Sequence, residues 1–331
     1  MHGHAEGRRP FAGRWARAVF FVLVISLLVF SSSAARNPAS RVYSATFAPS
    51  RAQADPVIAG AGDIACPSDI PTDRTCHQRA TSDLLVAMNP TAVFNAGDDQ
   101  YESGTLSAFL SYYGPTWGRL KAITHPVAGN HEYLTPGAAG YFDYFGPAAG
   151  DRSKGYYSLE VGAWHLIVLN SNCGELPAGT GADGCDEGSP QNDWLEQDLA
   201  ASTSLCTLAL WHHPRFSSGV HGNDTSMGSF WDDLYASGAD VVINGHDHDY
   251  ERFAPQDPAG GFDPASGIRE FVVGTGGRHY DPWGIPQPNS QRRNRITYGV
   301  LKLTLHGSSY DWEFVPEAGQ TFTDRGRSAC H

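Results

Sequence analysis

The chain has 331 residues, 41% of them hydrophobic, with 23 Lys and Arg against 35 Asp and Glu, a formal net charge of −12. That length is ample for one large α/β domain. So acidic a surface gives no non-specific attraction to nucleic acid or to anionic membranes.

Residues 1–35 read as a targeting segment. Arg8, Arg9, Arg14 and Arg17 precede an apolar run from Ala18 to Phe30, and Ser31-Ser32-Ser33-Ala34-Ala35 follows. That is the order of a secretory signal, and the run is short for a membrane span. An uncleaved anchor is the alternative. Arg8-Arg9-Pro10-Phe11 also resembles a twin-arginine export signal, though an incidental Arg pair looks the same. Cleavage would remove four Arg and one Glu, leave 19 basic and 34 acidic side chains, net −15, and leave no membrane anchor.

Residues 36–55 read as a flexible mature N-terminus, and 56–331 as one catalytic domain. Val57 to Asp63 reads as a strand ending in a carboxylate. Residues 73–88 have helical spacing through Ala80, Leu84, Leu85 and Met88, and Pro90 stops them. Thr91 to Asp98 is a second strand, 106–120 a second helix, and His125 to Glu132 a short third strand. Tyr156–Val161 and Trp164–Asn170 pair around Gly162-Ala163. Ser189 caps a helix with Pro190 in its first turn. Thr207–Trp211 and Val241–Asn244 are apolar strands, with Phe230–Ala236 helical between them. Glu270–Val273, Tyr298–Leu305 and Ser309–Val315 complete a mostly β tail. Arg292-Arg293-Asn294-Arg295 reads as a solvated loop, and Arg252 as a structural cation.

The six Cys behind an export signal suggest disulfides. Cys66–Cys76 and Cys173–Cys185 would each close a short loop, which leaves Cys206 with Cys330. Six Cys allow 15 pairings in principle.

The polar residues collect at strand ends: Asp63, Asp98 with Tyr101, Asn130 with His131, His212, and His246 with His248. Open α/β sheets place their sites there. His246 and His248 alternate after an apolar strand, so they share a face and offer half a metal site. Alone, Gly245-His246-Asp247-His248 is equally a polar turn. In chain order with the others, the oxygen and imidazole donors suit hard to borderline metal ions.

Together, Gly62-Asp63, Gly97-Asp98-Asp99-Gln100-Tyr101, Gly129-Asn130-His131-Glu132, Trp211-His212-His213-Pro214 and Gly245-His246-Asp247-His248 resemble the five motifs of the calcineurin-like metallophosphoesterases. Asp98-x-x-Tyr101, the trailing Tyr250-Glu251-Arg252 and the helix around Trp194 look like the purple acid phosphatase branch. The first motif departs from both patterns: Asp63-Ile64-Ala65 lacks the imidazole many members carry, and Tyr101 is placed to substitute for it. The N-terminal β domain of large plant members has no room before Asp63.

The resemblance implies a four-layer α/β/β/α sandwich with two mixed sheets. It implies a first metal on Asp63, Tyr101 and His248, a second on Asn130, His212 and His246, and Asp98 bridging them. Three anionic oxygens favour Fe3+ in the Tyr101 site, whereas the amide and imidazoles of the second suit Zn2+, Fe2+ or Mn2+. If Tyr101 merely packs nearby, the first ion is divalent. Asn130, His131 and His221 would contact substrate. His131, with Glu132 orienting it, and His221 would serve the leaving oxygen, with His213 either supporting the metal ligands or purely structural. The implied reaction is hydrolysis of phosphomonoesters by in-line attack of a metal-held hydroxide, outside the cytoplasm. The alternatives are a phosphodiesterase on the same core and a catalytically idle domain that binds phosphate or a partner. A serine hydrolase lacks its Gly-x-Ser-x-Gly elbow.

Overall fold

The computed structural model describes residues 54–68, 70–72 and 75–331. The proposed signal and nearly all of 36–55 lie outside them.

Short apolar runs bounded by Gly and polar residues form the strands. One sheet joins β1 (Val57–Ala61), β2 (Ala92–Asn95), β3 (Thr124–His125), β11 (Gly299–Leu305), β12 (Ser309–Pro316) and β13 (Arg325–Ala329), in the order β13-β12-β11-β1-β2-β3. The other joins β4 (Tyr157–Val161), β5 (Trp164–Val168), β6 (Cys206–Leu210), β7 (Val241–Asn244), β8 (Tyr250–Phe253), β9 (Arg269–Val273) and β10 (Ser290–Asn294), in the order β10-β8-β9-β7-β6-β5-β4. β1, β2 and β3 run parallel, as do β5, β6, β7 and β9, while antiparallel strands flank both sets.

Alternation along the second sheet separates the layers. Leu166 and Val168 of β5, Leu208 and Leu210 of β6, Val241 and Ile243 of β7, and Phe271 and Val273 of β9 join the core that holds Ile58, Val93, Leu301 and Leu303 of the first sheet. Their neighbours Ile167, Ala209, Val242 and Val272 face the opposite way, onto Leu195 of helix Pro190–Ala201 and Phe230, Trp231 and Leu234 of helix Gly228–Ala236. Strand side chains alternate between faces, so a sheet buried on both reads as continuously apolar. Helix Gln78–Met88 packs Leu85 into the first core, as do Phe109 and Trp117. This is the expected four-layer sandwich, and it brings the carboxyl ends of both parallel sets to one edge.

Local expectations needed correction. The helix over 106–120 is broken into an α turn at Leu106–Ala108, a π turn at Phe109–Tyr113 and a 3-10 segment at Trp117–Ile123. Gly114 and Pro115 interrupt it. The strand over 125–132 ends at His125, and Asn130–Tyr133 is a helical turn. Arg292 to Asn294 belong to an edge strand paired with β8 rather than to a loop. Arg252 does meet a structural carboxylate, with Nε 2.6 Å from Asp324 Oδ2.

Cys173–Cys185 and Cys206–Cys330 are bonded, with Cα separations of 5.2 and 5.5 Å. Cys66 and Cys76 are instead buried free thiols. Both sulfurs turn onto the Thr75 hydroxyl, at 3.0 and 3.7 Å. Burial, then its contact with Cys66, pushes the Cys76 thiol up to about 12, so it remains protonated and unreactive at neutral pH. No helix among the described residues is long and apolar enough to cross a membrane.

Candidate metal centre

Five strand ends deliver the predicted donors to one place. Asp63 follows β1, Asp98 follows β2, Asn130 opens the turn after β3, His212 follows β6, and His246 and His248 follow β7. Asp63, Asp98 and His246 have φ of 59°, 51° and 72°. Non-glycine residues rarely occupy this region, and they persist there only where surrounding structure holds them.

Two clusters share Asp98. In the first, the Tyr101 hydroxyl lies 2.8 Å from Asp63 Oδ1, 2.9 Å from Asp98 Oδ2 and 3.0 Å from His248 Nε2. In the second, His212 Nε2 lies 3.1 Å from Asn130 Oδ1, 3.3 Å from His246 Nδ1 and 3.4 Å from Asp98 Oδ2. Asp98 stands in both clusters, while Asp63 also lies within 4.8 Å of His212. Asp63, Asp98, Tyr101, His212 and His248 are buried.

The outward ring nitrogens fix the tautomers. His212 Nδ1 donates to the Ala96 carbonyl at 2.8 Å, and His248 Nδ1 to that of His279 at 2.6 Å. Both Nε2 atoms are thereby aimed inward, where a metal-binding imidazole offers its lone pair once deprotonated. The backbone N–H of His246 donates to Asp63 Oδ2 at 2.9 Å, which ties the first strand end to the last.

Electrostatics fit a cation. Burial works against charging His212, but Asp98 and then Asp63 overcome it and raise its pKa to about 9. The same balance, with Asp63 and Asp281 as the anions, raises His248 to about 9. Burial opposes ionisation of Asp98, yet His212 and His131 hold it well below the usual carboxylate range. Burial, then Asp63 and Asp98, push the Tyr101 phenol well above its ordinary value. Without a cation, then, the centre retains protons that a metal would have to displace. Convergent carboxylates, inward Nε2 atoms and a phenol held neutral make a donor set suited to hard or borderline ions.

The remaining residues take other parts. Glu132 does not orient His131. It accepts the N–H groups of Gly129, Asp98 and Gln100 at 2.8, 3.0 and 3.1 Å and so shapes the backbone around Asp98. Burial, then Asp98, raise it to about 8 despite those donors. His131 gives Nδ1 to the Glu102 carbonyl, and its Nε2 lies 3.9 Å from Asp98 Oδ2 at the rim. His221 is also at the rim. Its backbone N–H donates to Asp247 Oδ1 at 3.0 Å, and its ring centroid is 4.3 Å from that of His246. His213 is held by Ser171 Oγ at 2.8 Å from Nδ1, with its ring 4.5 Å from His246. Burial, then His212, lower His213 to about 4, so it is neutral.

Sequence reasoning missed the segment after β9. Arg278 stands over the Tyr101 ring at 4.7 Å, and the Asp281 carboxylate is 3.5 Å from His248 Nδ1 and 3.9 Å from His221 Nε2. The signal existed: Arg278-His279-Tyr280-Asp281 follows an apolar strand and three glycines, as the other donors follow theirs.

The model of the calcineurin-like phosphoesterase family matches residues 57–250, which contain all seven donors. The chain belongs to that family. Among curated relatives, purple acid phosphatase 18 of Arabidopsis thaliana is 33% identical over 233 residues, covering 62% of this chain and 50% of its own length. A probable inactive purple acid phosphatase 1 from the same plant is 24% identical over 263 residues, covering 68% and 41%. A purple acid phosphatase from yellow lupin seeds superposes with a TM-score of 0.64 at 18% identity, over 83% of this chain and 53% of its own, a likeness of fold. The chain spans between 27% and 50% of the length of the curated relatives it matches. Within that family it is similar in sequence to purple acid phosphatases, and the family implies a dinuclear metal centre.

Proposed function

We propose that residues 56–331 form a phosphomonoesterase that works outside the cytoplasm after loss of the leader. The observation that carries the reading is the convergence of seven donors in two clusters about Asp98. Asp63, Tyr101 and His248 would hold one ion, Asn130, His212 and His246 the other. The tyrosine-bearing, more anionic first set favours Fe3+, and the second Zn2+, Fe2+ or Mn2+. When bound, two such ions neutralise phosphate charge and lower the pKa of a water to the neutral range. That local positive charge lets a chain of net charge −12 accept an anionic ester.

The protein's own groups do the rest. With Asn130 Oδ1 committed to the centre, its amide NH2 is left to donate to a phosphate oxygen. His131, anchored through Nδ1, presents Nε2 at the rim, where it can hand a proton to the leaving oxygen. His221, fixed by Asp247, flanks the same opening. Export agrees with the two disulfides.

Initial rates on a monoester and a bis-ester, with metal content measured on the same sample, test the reading. Turnover of the monoester is expected, with a fall of about 10²–10⁴-fold in kcat for His131→Ala and metal retained. Preference for the bis-ester would move the assignment to a phosphodiesterase. Phosphate binding without turnover would make it an idle domain.

A further inference from the structure

We propose that a cavity beside the metal centre, lined by Trp283, Arg293 and Arg295, is a leaving-group subsite for phosphate esters whose alcohol part is planar and carries a second negative charge. The inference rests on the phosphatase reading and deepens it.

The cavity measures about 400 Å³ and is lined by Trp283, Arg293, Asn294, Arg295 and Ile296. Two connections tie it to the centre. The first runs through the backbone. Arg293 and Asn294 lie opposite Glu251 and Tyr250 in the β8–β10 pairing, so Arg295 begins beside the residues that follow His248. The second runs through the loop of His221. Trp283 forms a β-bridge with Gly219, and the N–H of Gly284 donates to the Ser218 carbonyl at 2.9 Å. Asp281 closes the junction: its carboxylate faces His221 and His248, while its backbone carbonyl accepts from Arg295 Nη1 at 3.4 Å. An ester seated on the metals would therefore project its alcohol past His221 toward Trp283.

The chemistry of the lining selects the class. The Arg293 guanidinium lies over the Trp283 ring, 5.1 Å from its centroid, so a flat cation covers one face of a flat aromatic. A planar ring stacks on either. Arg293 approaches a carboxylate only at 4.0 Å, that of Glu251, which is already occupied by the Ser218 N–H at 2.7 Å and by the Ser290 hydroxyl. Among the described residues Arg295 has no carboxylate within 4 Å. The Asp281 carboxylate is turned toward His248 and His279, at 3.5 and 3.4 Å, and so does not cap the two arginines. Exposed Ile296 also lines it.

Competitive inhibition by three phosphonates tests the proposal without dependence on leaving-group reactivity. Ethylphosphonate, benzylphosphonate and 4-carboxybenzylphosphonate should bind in rising order, the carboxylate contributing about tenfold, as a charge-assisted contact does. Arg293→Gln/Arg295→Gln should abolish the carboxylate step and keep the ring step. Trp283→Ala should abolish the ring step. Arg327→Gln, on the far sheet, should keep both. Equal affinities in the wild type, or steps that survive in the variants, would overturn the subsite. Should the wild type turn over no monoester at all, the phosphatase reading falls instead, and the same ladder read by calorimetry still decides the subsite.

Discussion

Gly129 lies so close to Asp98 that a Cβ on it would stand 2.1 Å from Asp98 Oδ1 and 2.3 Å from the Asp98 backbone nitrogen. The glycine exists to let the turn bearing Asn130 close against the carboxylate that both metal clusters share. Gly129→Ala must push Asp98 or Asn130 aside. Displacements near 1 Å cost about 10²-fold in rate. We expect kcat/KM on a monoester to fall by about that factor with the circular dichroism spectrum unchanged. An unaffected rate would show that the turn is not needed to set Asp98.

Tyr101 is the next test. Its hydroxyl touches Asp63, Asp98 and His248. Tyr101→Phe removes one oxygen and keeps the ring against His131. If the first ion is Fe3+, the wild type shows a visible absorption band that the variant lacks, while the second ion is retained. A colourless wild type holding two divalent ions would take Tyr101 off the metal.

The Cys206–Cys330 bond spans 124 residues and ties the last residues to β6. Replacing both by Ala should cost about 2–5 kcal/mol in urea unfolding. Alkylation of the unfolded, unreduced chain should mark two thiols, those of Cys66 and Cys76. A protein with no reactive thiol would mean that this pair is bonded after all.

His165 gives a pH dependence away from the centre. Its hydrogen bond to Asp198 and, against some burial, the Glu160 contact raise its pKa above the ordinary 6.5. Asp198 is lowered below 3.8, since His165 and Ser158 outweigh its burial. A raised imidazole stabilises fully below its unfolded value and loses this as pH rises through the folded one. A lowered carboxylate stabilises above its unfolded value and loses this as pH falls through the folded one. The pair is thus at full strength between 3.8 and 6.5. The difference in Tm between wild type and His165→Gln should be largest near pH 5 (about the middle of that window) and shrink as the pH rises above 6.5. A difference independent of pH would contradict the assignment.

Much of this was legible from the chain. Asp63, Asp98, His212, His246 and His248 each follow a run of buried β residues, but they lie in turns past the strand ends, three of them at positive φ, so strand alternation does not set which way they point. The donors on turns were legible by type but not by structure. Asn130 reads like a strand end, yet it opens a helical turn, because Glu132 captures the amides of Gly129, Asp98 and Gln100. The contacts to Asp98 and Gln100 join segments more than 30 residues apart and leave no local pattern. Arg292 and Arg293 read as loop because an edge strand with both neighbours exposed shows no hydrophobic period. Cys66 and Cys76 lie ten residues apart, yet proximity in sequence does not aim two sulfurs at each other.

The most direct test of the central claim is elemental analysis of the purified, unreduced chain beside His212→Ala. The account predicts two metal ions per wild-type chain, one ion in the variant, and loss of monoester turnover with that ion. A wild-type protein that turns over phosphate monoesters while holding no metal, or a His212→Ala variant that keeps both ions, would contradict it.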